Sequence, residues 1–325
     1  MNGGKACGGG VAAVTGASGF LGEALVNRLL TTRRVRAFFR ASCDASRALR
    51  ARACEIVIGD LDNHDALAAL VAGAEEVYHC AATMAKTDPA LSQRVNVAGT
   101  EHVARAAVKA GVRRFVYVSS TSVYAASRRD DNTYTEAFEP ENTRRLNHYS
   151  RSKYEGERVV RRLGADEGLG FTIVRPTNVY GLRSRPWFKR WEGLLRRVPV
   201  AFGNVSIDVV YVNDVVMALE DAAASPAAEN GVFNIGHEMI PLSRFVSAVG
   251  GVIGRTTRTL PPRIDRAVCV AVDRGFQVFT RTMMSPSLVQ PARYPHDRAR
   301  AVFGYSPRYS LPDGMAEIER LYRAR

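Results

Sequence analysis

The segment from Val11 to Leu30 constrains the fold of this chain more than any other. A short apolar run, Val11-Ala12-Ala13-Val14, leads straight into Thr15-Gly16-Ala17-Ser18-Gly19-Phe20-Leu21-Gly22. Glu23 to Leu30 (EALVNRLL) follows, with apolar residues at helical spacing. This order predicts a strand, a glycine-rich turn and a helix. Glycines in such a setting allow a tight turn, a close backbone approach to an anion, and close packing of helix on strand. Free N–H groups at the helix N-terminus suit a pyrophosphate. The spacing is Gly-x-x-Gly-x-x-Gly rather than the commoner Gly-x-Gly-x-x-Gly, and the strand–helix frame favours dinucleotide binding over a plain turn. The contacts expected from this turn are Thr15, Gly16, Ser18, Gly19, Phe20, Leu21 and Gly22.

The same alternation continues along the chain. Val35 to Arg40 reads as a second strand, Glu55 to Leu61 as a third with Asp60 at its end, and Asp65 to Val71 as a short helix. Val77 to Ala82 reads as a fourth strand, ending in small residues where backbone can approach a ligand. Asn96 runs into a helix from Thr100 to Ala110, capped by Gly111. Arg114 to Val118 is a fifth strand, with Ser119-Ser120-Thr121-Ser122 at its C-terminal end. Residues Ala125 to Asn147 are polar and predict an exposed loop. Phe171 to Val174 is a sixth strand, ended by Arg175-Pro176-Thr177-Asn178-Val179-Tyr180-Gly181, while Val205 to Ala222 and Gly231 to Ile235 read as returning to the main sheet. Strands alternating with helices predict an α/β, doubly wound parallel sheet, and ligands in such sheets bind outside the C-terminal strand ends.

The end of the second strand bears on the adenosine ribose. An acid there hydrogen-bonds the 2′-hydroxyl of NAD, whereas Arg accommodates the 2′-phosphate of NADP. The position carries Arg40, and no acid occurs before Asp44. The missing acid favours NADP (NADPH) over NAD.

A second constellation is His148-Tyr149-Ser150-Arg151-Ser152-Lys153. Tyr149 and Lys153 are four apart, so on a helix both side chains emerge on one face. A phenol of pKa roughly 10 is a poor acid–base catalyst at neutral pH. A nearby ammonium stabilises the phenolate and lowers that pKa, and such a pair can move a proton while a hydride moves at carbon.

Composition narrows the classes. The chain has 325 residues and a formal charge of +13. The positive residues are nearly all Arg and scattered, including the doublets Arg113-Arg114, Arg161-Arg162 and Arg196-Arg197. A nucleic-acid footprint would instead cluster on one face, so no nucleic acid is expected, although anionic ligands are attracted. No run of about 18 apolar residues predicts a membrane span. The start, MNGGKACGGG, lacks a signal-peptide core and reads as a flexible lead-in. Cys7, Cys43, Cys54, Cys80 and Cys269 form no metal-spaced cluster or disulfide framework. No metal is expected, and a reducing cytoplasm is the expected location.

Taken together, these stretches resemble the extended short-chain dehydrogenase/reductase family along nearly the whole chain. The shared elements are Thr15-Gly16-x-x-Gly19-x-x-Gly22, Asp60-Leu61, His79-x-Ala81-Ala82, Asn96 before Gly99-Thr100, Ser119-Ser120, Tyr149-x-x-x-Lys153 and Arg175-Pro176. Val210-Tyr211-Val212-Asn213-Asp214-Val215 and Phe303-Gly304-Tyr305-Ser306-Pro307 follow. The resemblance implies that Gly16, Gly19 and Gly22 cradle the pyrophosphate, that Asp60 and Leu61 hold the adenine, and that Ala81 and Ala82 line the path to the nicotinamide ribose. Val118, Pro176, Asn178 and Val179 are further implied cofactor contacts. Lys153 would bind the ribose while depressing the pKa of Tyr149, and Ser120 would polarise a substrate carbonyl, with Ser119 and Ser122 as competing assignments. Asn96 is either part of a proton relay or a buried amide fixing a helix turn. A homodimer through helices of the main domain is also implied.

The resemblance divides the chain into a lead-in at 1–10, a Rossmann domain at 11–181 plus 205–236, and a smaller, mostly helical C-terminal substrate lobe at 182–204 plus 237–325. Thr83, Thr121, Ser122, Asn178 and Trp187 are the expected substrate contacts. The stretch Pro186 to Trp191 fits a packed amphipathic helix edge slightly better than a substrate-stacking surface. Nucleotide-sugar members carry an Arg where this chain has Ile207, and dehydratases carry an Asp-Glu pair where Thr121-Ser122 stand. Ala267 to Val272, Gln277 to Phe279 and Met283-Met284 make the lobe apolar, like that of steroid/sterol dehydrogenases and dihydroflavonol-type reductases. Core filling accounts for Met283-Met284 better than a binding role. The expectation is an NADP(H)-dependent ketoreductase or hydroxy dehydrogenase acting on an apolar, steroid-like or natural-product-like small molecule. The alternatives are a nucleotide-sugar epimerase or 4-ketoreductase, and a non-catalytic NADP-binding sensor or scaffold.

Overall fold

The computed structural model describes residues 10–84, 88–125, 131–140, 143–203, 205–261, 263–265, 267 and 291–324. The lead-in residues 1–9 and the apolar residues 268–272, 277–279 and 283–284 lie outside the described residues. Twelve strands occur among those described. They are β1 (Val11–Thr15), β2 (Val35–Phe39), β3 (Glu55–Ile58), β4 (Ala74–His79), β5 (Arg114–Val118) and β6 (Phe171–Pro176). β7 (Asn178–Tyr180), β8 (Val200–Ala201), β9 (Ser206–Tyr211), β10 (Gly231–Ile235), β11 (Glu238–Pro241) and β12 (Arg258–Thr259) follow.

The main sheet has seven strands in the order β10-β6-β5-β4-β1-β2-β3. The pairings from β3 across to β6 are parallel, with Val14 against both Ala37 and Tyr78, and Val116 against both Tyr78 and Thr172. The chain starts in the middle, winds outward through β2 and β3, then returns to β4 beside β1. This is the doubly wound arrangement expected from the alternation, and its switch point lies between β1 and β4. β1, β5, β6 and β10 are buried along their full lengths. Parallel strands covered on both faces need near-continuous apolar runs, and VAAVT and RFVYV supply them. The core packs Ala13, Phe38, Val77, Phe115 and Ile173 against Leu67, Val103, Val160 and Leu163 of the flanking helices. Truncating Phe115 there would cost about 3–5 kcal/mol.

Two compact units divide the chain. The first comprises Met1–Ser119, Ser152–Val174 and Leu219–Val232, and the second Ser120–Arg151, Arg175–Ala218 and Phe233–Arg325. The boundary passes through the helix His148–Glu167, whose first turn is capped by Asn147 Oδ1 accepting the Ser150 N–H at 2.9 Å. In the second unit β9 pairs with β7 in parallel and with β11 antiparallel. The stretch from Val205 therefore does not rejoin the main sheet as expected. Only Gly231–Ile235 does, because local periodicity marks a strand without naming its partner. The second unit also explains two late motifs. Asp214 accepts the backbone N–H groups of Arg308 (2.7 Å) and Tyr309 (3.2 Å), and the Tyr305 hydroxyl donates to Gly236 O at 2.9 Å.

The expectation of an exposed loop from Ala125 to Asn147 is also corrected within the described residues. Tyr134, Glu136 and Leu146 are buried. Tyr134 stacks on Tyr124 with ring centroids 5.6 Å apart, and Glu136 accepts the Asn234 N–H at 2.8 Å. Isolated buried residues in a polar stretch leave no periodic signal. Among the described residues, no helix is long and apolar enough to cross a membrane.

Candidate active site

The first unit holds the glycine turn. Gly16 has φ +69°, and a Cβ there would lie 2.6 Å from the Ala81 nitrogen. A Cβ on Gly22 would lie 2.2 Å from the Gly16 carbonyl oxygen. Side chains at either position would push the backbone apart. The Gly19 N–H donates to Gly16 O at 2.8 Å, closing the turn, and the helix Phe20–Leu29 starts without a side-chain cap. Its first N–H groups suit an anion, so this cradle fits a dinucleotide pyrophosphate. Ser18 and Gly19 are exposed, while Phe20 and Leu21 are half-buried.

Around the turn, Thr15 Oγ1 accepts the Ala81 N–H at 3.2 Å, fixing the backbone after β4 opposite Gly16. Ala81 is half-buried and Ala82 exposed. Arg40 is exposed at the end of β2. Asp60 is also exposed, and its Oδ1 accepts the Leu61 N–H at 2.6 Å. Leu61 is turned into the core against Gly99. Val118 is buried at the end of β5.

Asn96 is fully buried in the π-helix Gln93–Ala98. Its Oδ1 accepts the Thr83 N–H at 2.7 Å, and its Nδ2 donates to Thr83 O (3.0 Å) and to Ser152 Oγ (2.8 Å). Lys153 is 2% exposed, with Nζ 4.3 Å from the Tyr117 ring centroid. Burial drives its ammonium down to about 8, opposed chiefly by Glu157.

The second unit holds Ser120 and Tyr149. Ser120 caps the short turn Thr121–Tyr124, its Oγ accepting the Ser122 N–H at 3.1 Å. Ser120 is also hydrogen-bonded to the Tyr149 side chain. Burial pushes the Tyr149 phenol up, and that hydrogen bond pulls it back only in part. This is opposite to the depression expected from Lys153, because lost solvation dominates here. The Thr121 hydroxyl donates to Pro176 O at 3.3 Å and Asn178 Nδ2 to Asp208 O at 2.7 Å, so both brace the scaffold. Ser122 Oγ is buried with no hydrogen-bond partner among the described residues. The Val179 carbonyl accepts the Ser184 hydroxyl at 3.0 Å. Trp187 packs edge-on to Phe245 with centroids 5.6 Å apart.

The structure thus joins Gly16 with Ala81, Asn96 with Thr83, and Ser120 with Tyr149, and it carries Tyr149 and Lys153 on one helix, a turn apart. Sequence reasoning missed Tyr117, Ser152 and Glu157 around Lys153, and it weighed Ser119 only as a competitor for the role of Ser120. Only Glu157 had a signal, its position four residues after Lys153. Among the described residues, no group of three or more His, Cys, Asp or Glu side chains could hold a metal ion.

The NAD dependent epimerase/dehydratase family model matches residues 12–236, and the chain belongs to that family, among the extended short-chain dehydrogenase/reductases. It is 27% identical over 336 residues to 3-beta-hydroxysteroid dehydrogenase of Mycolicibacterium neoaurum, covering 95% of this chain and 90% of that one. It is 29% identical over 333 residues to a UDP-glucose 4-epimerase of Mycolicibacterium smegmatis, covering 95% and 97%. The solved structure of MoeE5 in complex with UDP-glucose and NAD matches with a TM-score of 0.76 at 26% identity, over 97% of this chain and 99% of that one. The chain is an NAD(P)-dependent oxidoreductase acting on CH–OH or C=O groups.

Proposed function

We propose that this chain is an NADP(H)-dependent ketoreductase or hydroxy dehydrogenase acting on an apolar small-molecule ketone or alcohol of steroid-like or natural-product-like shape. The observation that carries the reading is the hydrogen bond between Ser120 and Tyr149, on the helix that also carries Lys153. When bound, the dinucleotide supplies or accepts the hydride. Ser120 steadies the substrate oxygen and Tyr149 exchanges a proton with it. Burial keeps Tyr149 a phenol at neutral pH, the form that donates a proton in ketone reduction. Lys153 binds the nicotinamide ribose hydroxyls and lends positive charge when a phenolate forms. Asn96, with its amide engaged by Thr83 and Ser152, serves as a brace between the chain after β4 and the catalytic helix.

The apolar substrate is supported by Ile207, which is fully buried in β9 and paired with Ile240 where nucleotide-sugar members present an Arg. The full-length likeness to a 3-beta-hydroxysteroid dehydrogenase supports it too. We assign substrate selection to residues 182–204 and 237–325. NADP is supported by Arg40, exposed at the end of β2 and followed in the sequence by no acid before Asp44. The NAD in the MoeE5 complex is the counterweight.

A second reading, a nucleotide-sugar epimerase or 4-ketoreductase, is favoured by the likeness to UDP-glucose 4-epimerase and to MoeE5 with UDP-glucose. A thermal-shift panel on the NADP⁺-saturated protein separates the two, since a ligand that binds only the folded state raises the melting temperature. Stabilisation by steroids and polycyclic ketones, followed by their NADPH-dependent reduction, is the expected result. Stabilisation by UDP or dTDP alone would transfer the assignment to the second reading.

A further inference from the structure

The Lys153 ammonium lies in an enclosed place, and a buried cation is costly unless paired. One helical turn further on stands Glu157, fully buried. Glu157 Oε1 accepts the Ser119 hydroxyl at 2.5 Å. Ser119 is anchored at the end of β5, where its N–H donates to Val174 O at 2.7 Å. Beneath the same helical turn, the Tyr117 hydroxyl donates to Lys153 O at 3.3 Å. Gly156 makes that fit possible, because a Cβ there would lie 2.3 Å from the Tyr117 oxygen.

Among the described residues, the other groups set against Lys153, namely His79, Cys80, Tyr117 and Tyr149, offer no fixed negative charge. His79 at the end of β4 is held neutral, its imidazolium driven down to about 3 by burial and by Lys153 itself. Burial pushes the neighbouring Cys80 thiol up to about 12, so it stays uncharged. Tyr117 presents its ring face. Tyr149, a turn earlier on the helix, is a phenol.

We propose that Glu157, seated by the Ser119 hydroxyl, is a positioning residue that keeps Lys153 cationic in its buried place and so keeps the ammonium available to Tyr149 and to the cofactor ribose. The consequence for catalysis rests on the function proposed above, whereas the charge relationship does not. Glu157 supplies the main opposition to the burial that pulls the Lys153 ammonium down to about 8.

The chain contains only five lysines, Lys5, Lys86, Lys109, Lys153 and Lys189. Their ¹³Cε resonances can be followed by NMR in lysine-labelled protein, with Lys153→Arg assigning the buried one. Glu157→Gln keeps an oxygen for Ser119 and removes the charge. Its Lys153 midpoint should fall by about one pH unit or more, a tenfold loss of proton affinity. Glu157→Asp, which retains the charge, should recover most of that loss, and Ser119→Ala should give a smaller fall. The high-pH limb of kcat/KM for alcohol oxidation should move acidward in step with the midpoint. A Glu157→Gln midpoint equal to that of wild type overturns the proposal. If Glu157→Gln does not fold, a Ser119→Ala midpoint equal to that of wild type overturns it instead. Shifted midpoints in a protein whose wild type turns over no ketone or alcohol would sink the catalytic reading and leave the charge relationship standing.

Discussion

Thr15 Oγ1 lies 2.7 Å from His79 Nδ1, joining the C-terminal ends of the adjacent strands β1 and β4. The Thr15 oxygen accepts the Ala81 N–H, and because the Thr100 hydroxyl is spent on Asn96 O, neutral His79 carries its proton on Nε2 and accepts the Thr15 hydroxyl at Nδ1. His79 Nε2–H then donates to Thr100 Oγ1 at 3.0 Å, and the Thr100 hydroxyl to Asn96 O at 2.7 Å. This run has a consistent direction with His79 neutral, the form that burial enforces. It ties the wall opposite Gly16 to the segment that holds Asn96.

Thr15→Val keeps the shape and removes the hydroxyl, leaving the Ala81 N–H and His79 Nδ1 without this partner. The expected cost is about 1–3 kcal/mol, with dinucleotide affinity falling alongside the melting temperature. Thermal denaturation and a cofactor titration check this together. Wild-type values in both would mean that the run does not organise the cradle.

Tyr149→Phe removes the proposed proton carrier and leaves the packing of the ring. Turnover should drop by roughly 10²–10⁴-fold, while NADPH affinity stays close to wild type. Steady-state kinetics and fluorescence titration measure the two separately. A variant that still turns over normally would exclude Tyr149 as the acid.

Wild type should bind NADPH more tightly than NADH. Arg40→Ala should weaken NADPH by about tenfold or more, in line with a lost charged hydrogen bond, and leave NADH unchanged. A wild-type preference for NADH would defeat the NADP reading.

Asp208 is buried in β9, and its Oδ1 accepts the Thr177 hydroxyl (3.1 Å) and the His237 N–H (3.2 Å). Burial raises its carboxyl to about 7 despite those bonds. The folded value lies above the unfolded value of roughly 3.9, so between them the folded protein holds a proton that the unfolded chain releases. The contribution to stability is full below about pH 4 and is lost as pH rises through about 7. Asp208→Asn keeps an acceptor oxygen and cannot ionise. Its melting temperature should gain on wild type between pH 5 and pH 8.5, and a constant gap would contradict this.

Much of the sheet was legible because central parallel strands are short apolar runs bounded by turns. The glycine turn and the Tyr149/Lys153 spacing were legible because each is local. The pairing of β9 with β7 and β11 was not, since a strand's pattern leaves its neighbour open. Burial of Tyr134 and Glu136 was equally hidden, because single residues in a polar stretch are enclosed by Tyr124 and Asn234, about 10 and 100 positions away.

The sequence by itself determined the family and the doubly wound sheet, and it singled out Ser120, Tyr149 and Lys153 as the set proposed to react. Only the tertiary structure decided their electrostatic states. Tyr149 is raised rather than lowered, and Lys153 has a buried carboxylate behind it seated by Ser119. The reason is physical: motifs are set by spacing along the chain, whereas ionisation depends on solvent exclusion and on charges that strands and helices bring together from distant positions.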